Sequence, residues 1–195
     1  MNDLEVRAAT LADRLPISRM LELYQHDLSD VWDQDLDTNG LYGYSLEKYW
    51  TNPACKAFVF LLAGKYAGFA LIDDSVSLTE NEHWMAQFFV VKKYRRQGVG
   101  GAAAMSVFDQ VRGQWEVGQM RKNFPARAFW RRVVGDYTGG RFVEHELNDE
   151  RWEGLLQCFN NVLRAEWVDS RMKCTTTHGV RCCTNGNDIQ ATDCR

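Results

Sequence analysis

Long apolar runs are missing from this chain of 195 residues. No stretch approaches the ~20 apolar residues that a membrane-crossing helix needs, so no membrane partner is expected. The opening Met1-Asn2-Asp3-Leu4-Glu5-Val6-Arg7 lacks the apolar core of a secretory signal, and a cytoplasmic protein is expected. An excess of positive charge is missing as well. The chain has 23 Lys and Arg against 26 Asp and Glu, a net −3 that gives no general attraction to nucleic acid. Cysteine is scarce where a stapled fold would need it. Only Cys55 and Cys158 precede the last stretch, and Cys174, Cys182, Cys183 and Cys194 crowd the C-terminal end, which argues against a disulfide framework. Those four and His178 have zinc-ligand chemistry. There is no C-x-x-C pair, however, and adjacent cysteines suit a tetrahedral site poorly, so no metal is expected.

Hydrophobic residues at 45% and charged residues at 25% are ordinary globular values, and the length suffices for one domain with a real core. Residues 4–9 read as a short strand, and Thr10 caps a helix over about 11–28 with Leu15, Ile17, Met20, Leu21 and Tyr24 on one stripe. Residues 46–50 suggest a short second helix. The apolar runs 58–62 and 67–72 around Gly64-Lys65 predict an antiparallel hairpin. A strand is expected over 84–91, then a helix with Ala104, Val107, Phe108 and Val111 at helical spacing. A strand over 115–120, a helix over 125–137 and a last strand over 142–147 follow. The order β, α, α, β, β, β, α, β, α, β is an α+β pattern with a mixed sheet of about six strands. From Val162 the periodicity fails. Residues 1–161 are read as one domain and 162–195 as a polar, cysteine-containing tail that is unstructured.

The chemistry concentrates at Tyr94-Arg95-Arg96-Gln97-Gly98-Val99-Gly100-Gly101, between an apolar strand and an amphipathic helix. Glycines let backbone approach a ligand, the first helical turn offers unpaired N–H groups, and Arg95 and Arg96 add charge-assisted hydrogen bonds to phosphate. The Lys-Ser/Thr pair of a P-loop is absent, and the glycine spacing is not that of a Rossmann turn. Arg95, Gly98 and Gly100 fit Arg/Gln-x-x-Gly-x-Gly/Ala, preceded by Phe88-Phe89-Val90-Val91 and followed by Asn123-x-x-Ala126-x-x-Phe129 at the next strand–helix junction. In these residues the chain resembles the GNAT superfamily of acetyltransferases over roughly residues 4–147.

The resemblance implies a GNAT fold with helices on both faces of the sheet, and acetyl-CoA as co-substrate. It implies that Phe89, Val90 and Val91 pair with the pantetheine arm, that a backbone N–H, that of Val90, polarises the thioester carbonyl, and that amides of Gln97, Gly98, Val99, Gly100 and Gly101 take the pyrophosphate. Asn123 is expected to contact the arm. Packing alone would also explain Phe89 and Val91, and helix capping would explain Asn123. The expected reaction is acetyl transfer to a primary amine of a small cationic molecule. A non-catalytic acyl-CoA-binding domain and a protein N-acetyltransferase are the alternatives, and a homodimer is open.

For the base, Glu82, His83 and Asp27 are candidates. His83, with an ordinary pKa of about 6.5, is expected to share a strand face with Gln87 and Phe89. Where relatives often carry a tyrosine that protonates the thiolate, this chain has Trp130, whose indole is far too weak an acid. Asp27, Asp30, Asp33, Asp35 and Asp37 suggest a binding region for a cation, with Asp27 and Asp30 as substrate contacts, or else a solvated acidic loop. Tyr42, Tyr44, Tyr49 and Trp50 are candidates for lining the same cleft.

Overall fold

The computed structural model describes residues 3–78 and 80–162. Apart from Val162, the expected tail with its Cys174, His178, Cys182, Cys183 and Cys194 lies outside the described residues. Among those residues no helix is long and apolar enough to cross a membrane.

Strand β1 (Leu4–Ala8) leads through one 3-10 turn, Leu11–Asp13, into α1 (Arg14–Trp32). The entry is organised by Asp13. Its buried carboxylate accepts hydrogen bonds from the Thr10 N–H at 2.7 Å, the Thr10 hydroxyl at 2.8 Å, the Tyr66 hydroxyl at 2.7 Å and the Arg7 guanidinium at 2.8 and 2.9 Å. Thr10 therefore marks the helix start as expected, with Asp13 reaching back to it. Ile17, Met20, Leu21 and Leu28 form the buried stripe of α1, which runs four residues beyond the expected end and stops at Asp33 in the left-handed region (φ 51°). Leu15, expected on that stripe, is exposed.

After a one-turn helix α2 (Lys48–Thr51), β2 (Lys56–Leu62) and β3 (Lys65–Asp73) form the hairpin. Its two turn residues are Ala63 and Gly64, with φ of 49° and 72°, one position earlier than the sequence suggested. Positive φ at both is the conformation that matches strand twist in a two-residue hairpin. Then come β4 (His83–Val90), α3 (Val99–Gln110), β5 (Gln114–Met120), α4 (Phe124–Thr138), β6 (Val143–Asp149) and β7 (Trp152–Asn160).

The seven strands are ordered β1-β2-β3-β4-β5-β7-β6, one more than the expected count. The additional strand is β7, whose buried Leu155, Leu156, Gln157 and Phe159 insert it between β5 and β6. Among the described residues only β4 and β5 pair in parallel. Two apolar layers cover the sheet. α1 and the residues around Tyr49 pack with Val59, Phe69, Leu71 and Phe89 on one face. α3 and α4, the latter through Trp130, pack with Phe60, Met85, Trp115 and Phe159 on the other. The site lies where the strands between these layers separate.

Candidate active site

Strand β4 carries one residue more than β3 can match. Ile72 faces Met85 and Leu71 faces Gln87, leaving Ala86 as a bulge. A bulge bends its strand and reverses the alternation of side chains beyond it. Gln87 and Phe89 therefore lie on the α1 face with Leu71 and Phe69, and Phe88 and Val90 lie on the α3/α4 face. His83 precedes the bulge and falls on the opposite face from Gln87 and Phe89, contrary to the parity read from sequence. Its Nε2 is hydrogen-bonded with the Arg112 carbonyl oxygen at 2.9 Å, and its ring sits 5.3 Å from that of Trp115. Seven residues at about 3.3 Å each place it roughly 23 Å along the strand from Val90, too far to share a reacting centre. Glu82 is engaged nearby, accepting from the Gln114 N–H at 3.0 Å.

Beyond the bulge β4 leaves β5. The two strands pair only at His83 with Trp115 and at Trp84 with Glu116. The Val91 N–H donates to the Ala67 carbonyl at 2.8 Å. In an antiparallel ladder such bonds alternate, so Phe89 and Val91 direct their backbone groups into β3, and Phe88 and Val90 direct theirs toward the gap. This corrects the expectation that the backbones of Phe89 and Val91 are open to a ligand. Their side chains belong to the core on the α1 face, with Phe89 buried and its ring 5.7 Å from that of Tyr24. Phe88, which the sequence marks only as part of the strand, offers the open backbone beside Val90.

The chain then turns through Lys92–Tyr94, and Arg96 takes φ 60°. Gly98 caps α3 with φ 81°, a conformation glycine adopts without the penalty of a Cβ. The first intrahelical bond here runs from the Ala102 N–H to the Gly98 carbonyl at 3.1 Å. The amides before it are those a helix leaves without an internal partner. At Gly100 an added Cβ would lie 3.3 Å from the Phe129 ring and 3.5 Å from the Val90 side chain. Here glycine serves close packing of α4 over α3 and β4.

Arg95 does not extend toward these amides. Its Nε donates to the Val90 carbonyl at 2.7 Å, its terminal nitrogen pairs with Asp27 on α1, and its guanidinium lies 5.3 Å from the centre of the Phe89 ring. Arg96 is exposed. Gln97 donates to the Lys93 carbonyl at 2.8 Å. Asn123 caps α4, accepting from the Ala126 N–H at 3.2 Å. Trp130 is buried among Phe88, Phe108 and Phe129, with its ring 4.9 Å from that of Phe88.

On the α1 face the gap is bordered by Gln87, which is 6% exposed, and by Trp84. The Trp84 indole covers Gly118 of β5 and meets Trp152 edge-on at 5.1 Å. Two buried carboxylates flank Trp84 across the sheet, Asp73 on β3 and Glu116 on β5. Asp73 takes Lys48 Nζ at 2.6 Å and the Tyr49 hydroxyl at 3.1 Å, and Tyr44 joins Tyr49 at 3.2 Å. Burial, the first cause, and the neighbouring Tyr44 push the Tyr49 hydroxyl far above the ordinary tyrosine range. Glu116 accepts from the Ser77 and Leu78 amides at 2.8 and 2.7 Å and from Asn81 at 2.8 Å. Neither carboxylate stands out in the sequence. The alternation of β5 around Glu116 was the available signal. Asp30, Asp33 and Asp35 are exposed, whereas Asp37 accepts the Asn39 and Leu41 amides of its own turn. Among the described residues no group of three or more His, Cys, Asp and Glu is arranged to hold a metal ion.

The fold has solved counterparts. An acetyltransferase from Thermus thermophilus superposes with a TM-score of 0.55 at 17% identity, covering 80% of this chain and 95% of its own. Spermidine N-acetyltransferase from Vibrio cholerae, solved with CoA and spermine, gives 0.52 at 13% identity, covering 81% and 95%. RimL, a ribosomal L7/L12 α-N-protein acetyltransferase solved with coenzyme A, gives 0.51 at 13% identity, covering 83% and 94%. No curated protein sequence matches the chain at a significant level. The sequence profile described as Acetyltransferase (GNAT) family matches residues 17–135, which include β4, the glycine junction, α3 and the Asn123 cap. With that profile spanning more than half of its length, on the fold such enzymes share, the chain belongs to the GNAT acetyltransferase family.

Proposed function

We propose that this protein moves the acetyl group of acetyl-CoA to a primary amine of a small cationic molecule in the cytoplasm. The observation that carries the proposal is the edge of β4 at Phe88 and the Val90 N–H, unpaired among the described residues and directly before the N-terminus of α3, whose first amides have no intrahelical partner. A pantetheine arm has amide groups of its own and can pair with that edge as a further strand would. The pyrophosphate then reaches the amides of Gly98, Val99, Gly100 and Gly101, with Arg96 as the nearby free charge. The Val90 N–H donates to the thioester carbonyl oxygen. The amine attacks the carbonyl carbon, the C–S bond breaks, and the thiolate and the amine exchange their protons with water. Asn123 caps α4 through its side-chain oxygen, which leaves its amide N–H groups for the arm.

The acceptor enters from the α1 face, beside Gln87 and Trp84. The exposed Asp30, Asp33 and Asp35, at and just beyond the end of α1, support a cationic acceptor, and one fold relative is named for a polyamine substrate. A second reading, a domain that binds acyl-CoA without turnover, is favoured by Gln87, an amide where a proton acceptor would serve.

Thermal unfolding separates these ideas from no binding at all. Acetyl-CoA at a hundred times its dissociation constant stabilises by about 2.7 kcal/mol, and Gly98→Asp should abolish the effect by setting a carboxylate against the pyrophosphate. Absence of any shift at millimolar acetyl-CoA would rule out both readings. Thiol release with a panel of polyamines, aminoglycoside-like amines and Lys peptides then separates turnover from binding.

A further inference from the structure

Arg95 is the residue whose place in the structure departs furthest from what its position in the motif suggests. We infer that Arg95 is a positioning residue, clamping the end of β4 through the Val90 carbonyl and held to that task by Asp27, and that it does not bind the phosphates of the cofactor. The inference rests on the acetyltransferase reading and assigns a role within it.

Three contacts fix the guanidinium at once. Nε donates to Val90 at 2.7 Å, a terminal nitrogen pairs with Asp27, and the flat face lies over Phe89. A planar fork satisfies a carbonyl on one edge and a carboxylate on another in a single rotamer, which an ammonium cannot do. Reaching the α3 amides would break all three contacts and leave the Asp27 carboxylate without its cation. Arg96 is differently placed. It is exposed, has no ion pair among the described residues, and sits directly before Gln97 and Gly98 in a left-handed conformation that turns the chain into α3. The charge available to the phosphates is therefore that of Arg96.

The consequence lies at the thioester. The Val90 N–H and the Val90 carbonyl both face the gap, from adjacent peptide units. Fixing the carbonyl against Arg95 holds the following peptide and, through the Val90 Cα, keeps the N–H aimed into the gap. An oxyanion donor works only while its aim is kept. Asp27 thus acts from α1 on the geometry of β4, in contrast to its expected role as an acceptor contact.

The test compares two acetyl donors, acetyl-CoA and S-acetylpantetheine, which has no phosphate. Both are assayed by thiol release with the best amine of the panel. Arg95→Lys keeps the charge and loses the fork. It should lower kcat by about tenfold or more, by the same factor for both donors, with little change in the KM for acetyl-CoA. Asp27→Asn should follow the same pattern, and the double variant should lose little more than Arg95→Lys alone. Arg96→Gln should instead raise the KM for acetyl-CoA. A raised acetyl-CoA KM for Arg95→Lys, with S-acetylpantetheine turnover unaffected, would make Arg95 a phosphate ligand and overturn the inference. If the parent protein releases thiol from neither donor, the catalytic reading fails, and the clamp is judged by nitrogen-15 NMR. The Arg95 Nε–H should exchange slowly in the parent and rapidly in Asp27→Asn, and rapid exchange in both refutes it.

Discussion

At Asp13 one carboxylate receives Arg7, Thr10 and Tyr66 together, joining β1, the start of α1 and β3. The hydrogen bond from Arg7 is the largest influence holding its pKa far below the ordinary carboxylate range, and it outweighs the opposing effect of burial. Because the folded pKa is depressed, the stabilisation is present above the unfolded value near pH 4 and is lost as pH falls through the folded one. We expect Asp13→Asn to cost about 2–3 kcal/mol at pH 7, and the difference in melting temperature from the parent to shrink as pH falls from about 4 to about 2. A difference that stays constant over that range would mean that the charge contributes nothing. Trp130 presents the opposite case, an aromatic residue packed against three other rings, those of Phe88, Phe108 and Phe129. Trp130→Phe should lower turnover by less than about tenfold, because no acid–base step depends on it, and should reduce stability by about 1–2 kcal/mol through lost packing. A hundredfold fall in kcat with unchanged melting would give the indole a chemical role. Trp130 was legible in the sequence as a residue without acid chemistry, because an indole is far too weak an acid. Arg95 was not, because a motif supplies a side chain's position and not its direction.

Among the elements, α3 is legible from the spacing of Ala104, Val107 and Phe108, and the hairpin from its two apolar runs. The facing of β4 is not, although its limits nearly are. A single unmatched residue, Ala86, turns every later side chain to the other face. Alternation in the sequence cannot reveal this, since the bulge is defined by the partner strand. β7 escaped because its Leu155, Leu156 and Phe159 fall where the domain was expected to finish. The residue after it has an element-scale duty. Asn161 accepts from the Gly113 N–H at 2.8 Å and donates to the Phe108 and Val111 carbonyls at 2.6 and 2.9 Å, closing the C-terminal end of α3. A chain ended after Val162 should melt within about 2 °C of the parent, whereas one ended after Asn160 should lose about 2–3 kcal/mol, since those buried groups are left without partners. Calorimetry of the two truncations decides it, and equal melting would remove Asn161 from this role.

For the whole molecule, a net charge of −3 with exposed aspartates at one end of α1 makes attraction of a cationic acceptor sensitive to salt. Replacing Asp30, Asp33 and Asp35 together by Asn should raise the acceptor KM and flatten its salt dependence, leaving the acetyl-CoA KM unchanged. A neutral or acidic best acceptor would show that these aspartates only solvate the loop.

The short contact between β4 and β5 also has a mechanical meaning. Two residue pairs form the seam between a panel of four strands and a panel of three, fastened by Trp115, Phe108 and Trp130 on one face and by Trp84 against Gly118 and Trp152 on the other. Past Trp84 the edges of the two panels no longer pair, and a bound arm lying along the open edge acts as a splint between them. Amide exchange in β3 and in β7 should slow together when acetyl-CoA is added. Adenosine 3′,5′-bisphosphate, which lacks the arm, should protect only the start of α3. Equal protection by the two ligands would mean that the panels already move as one.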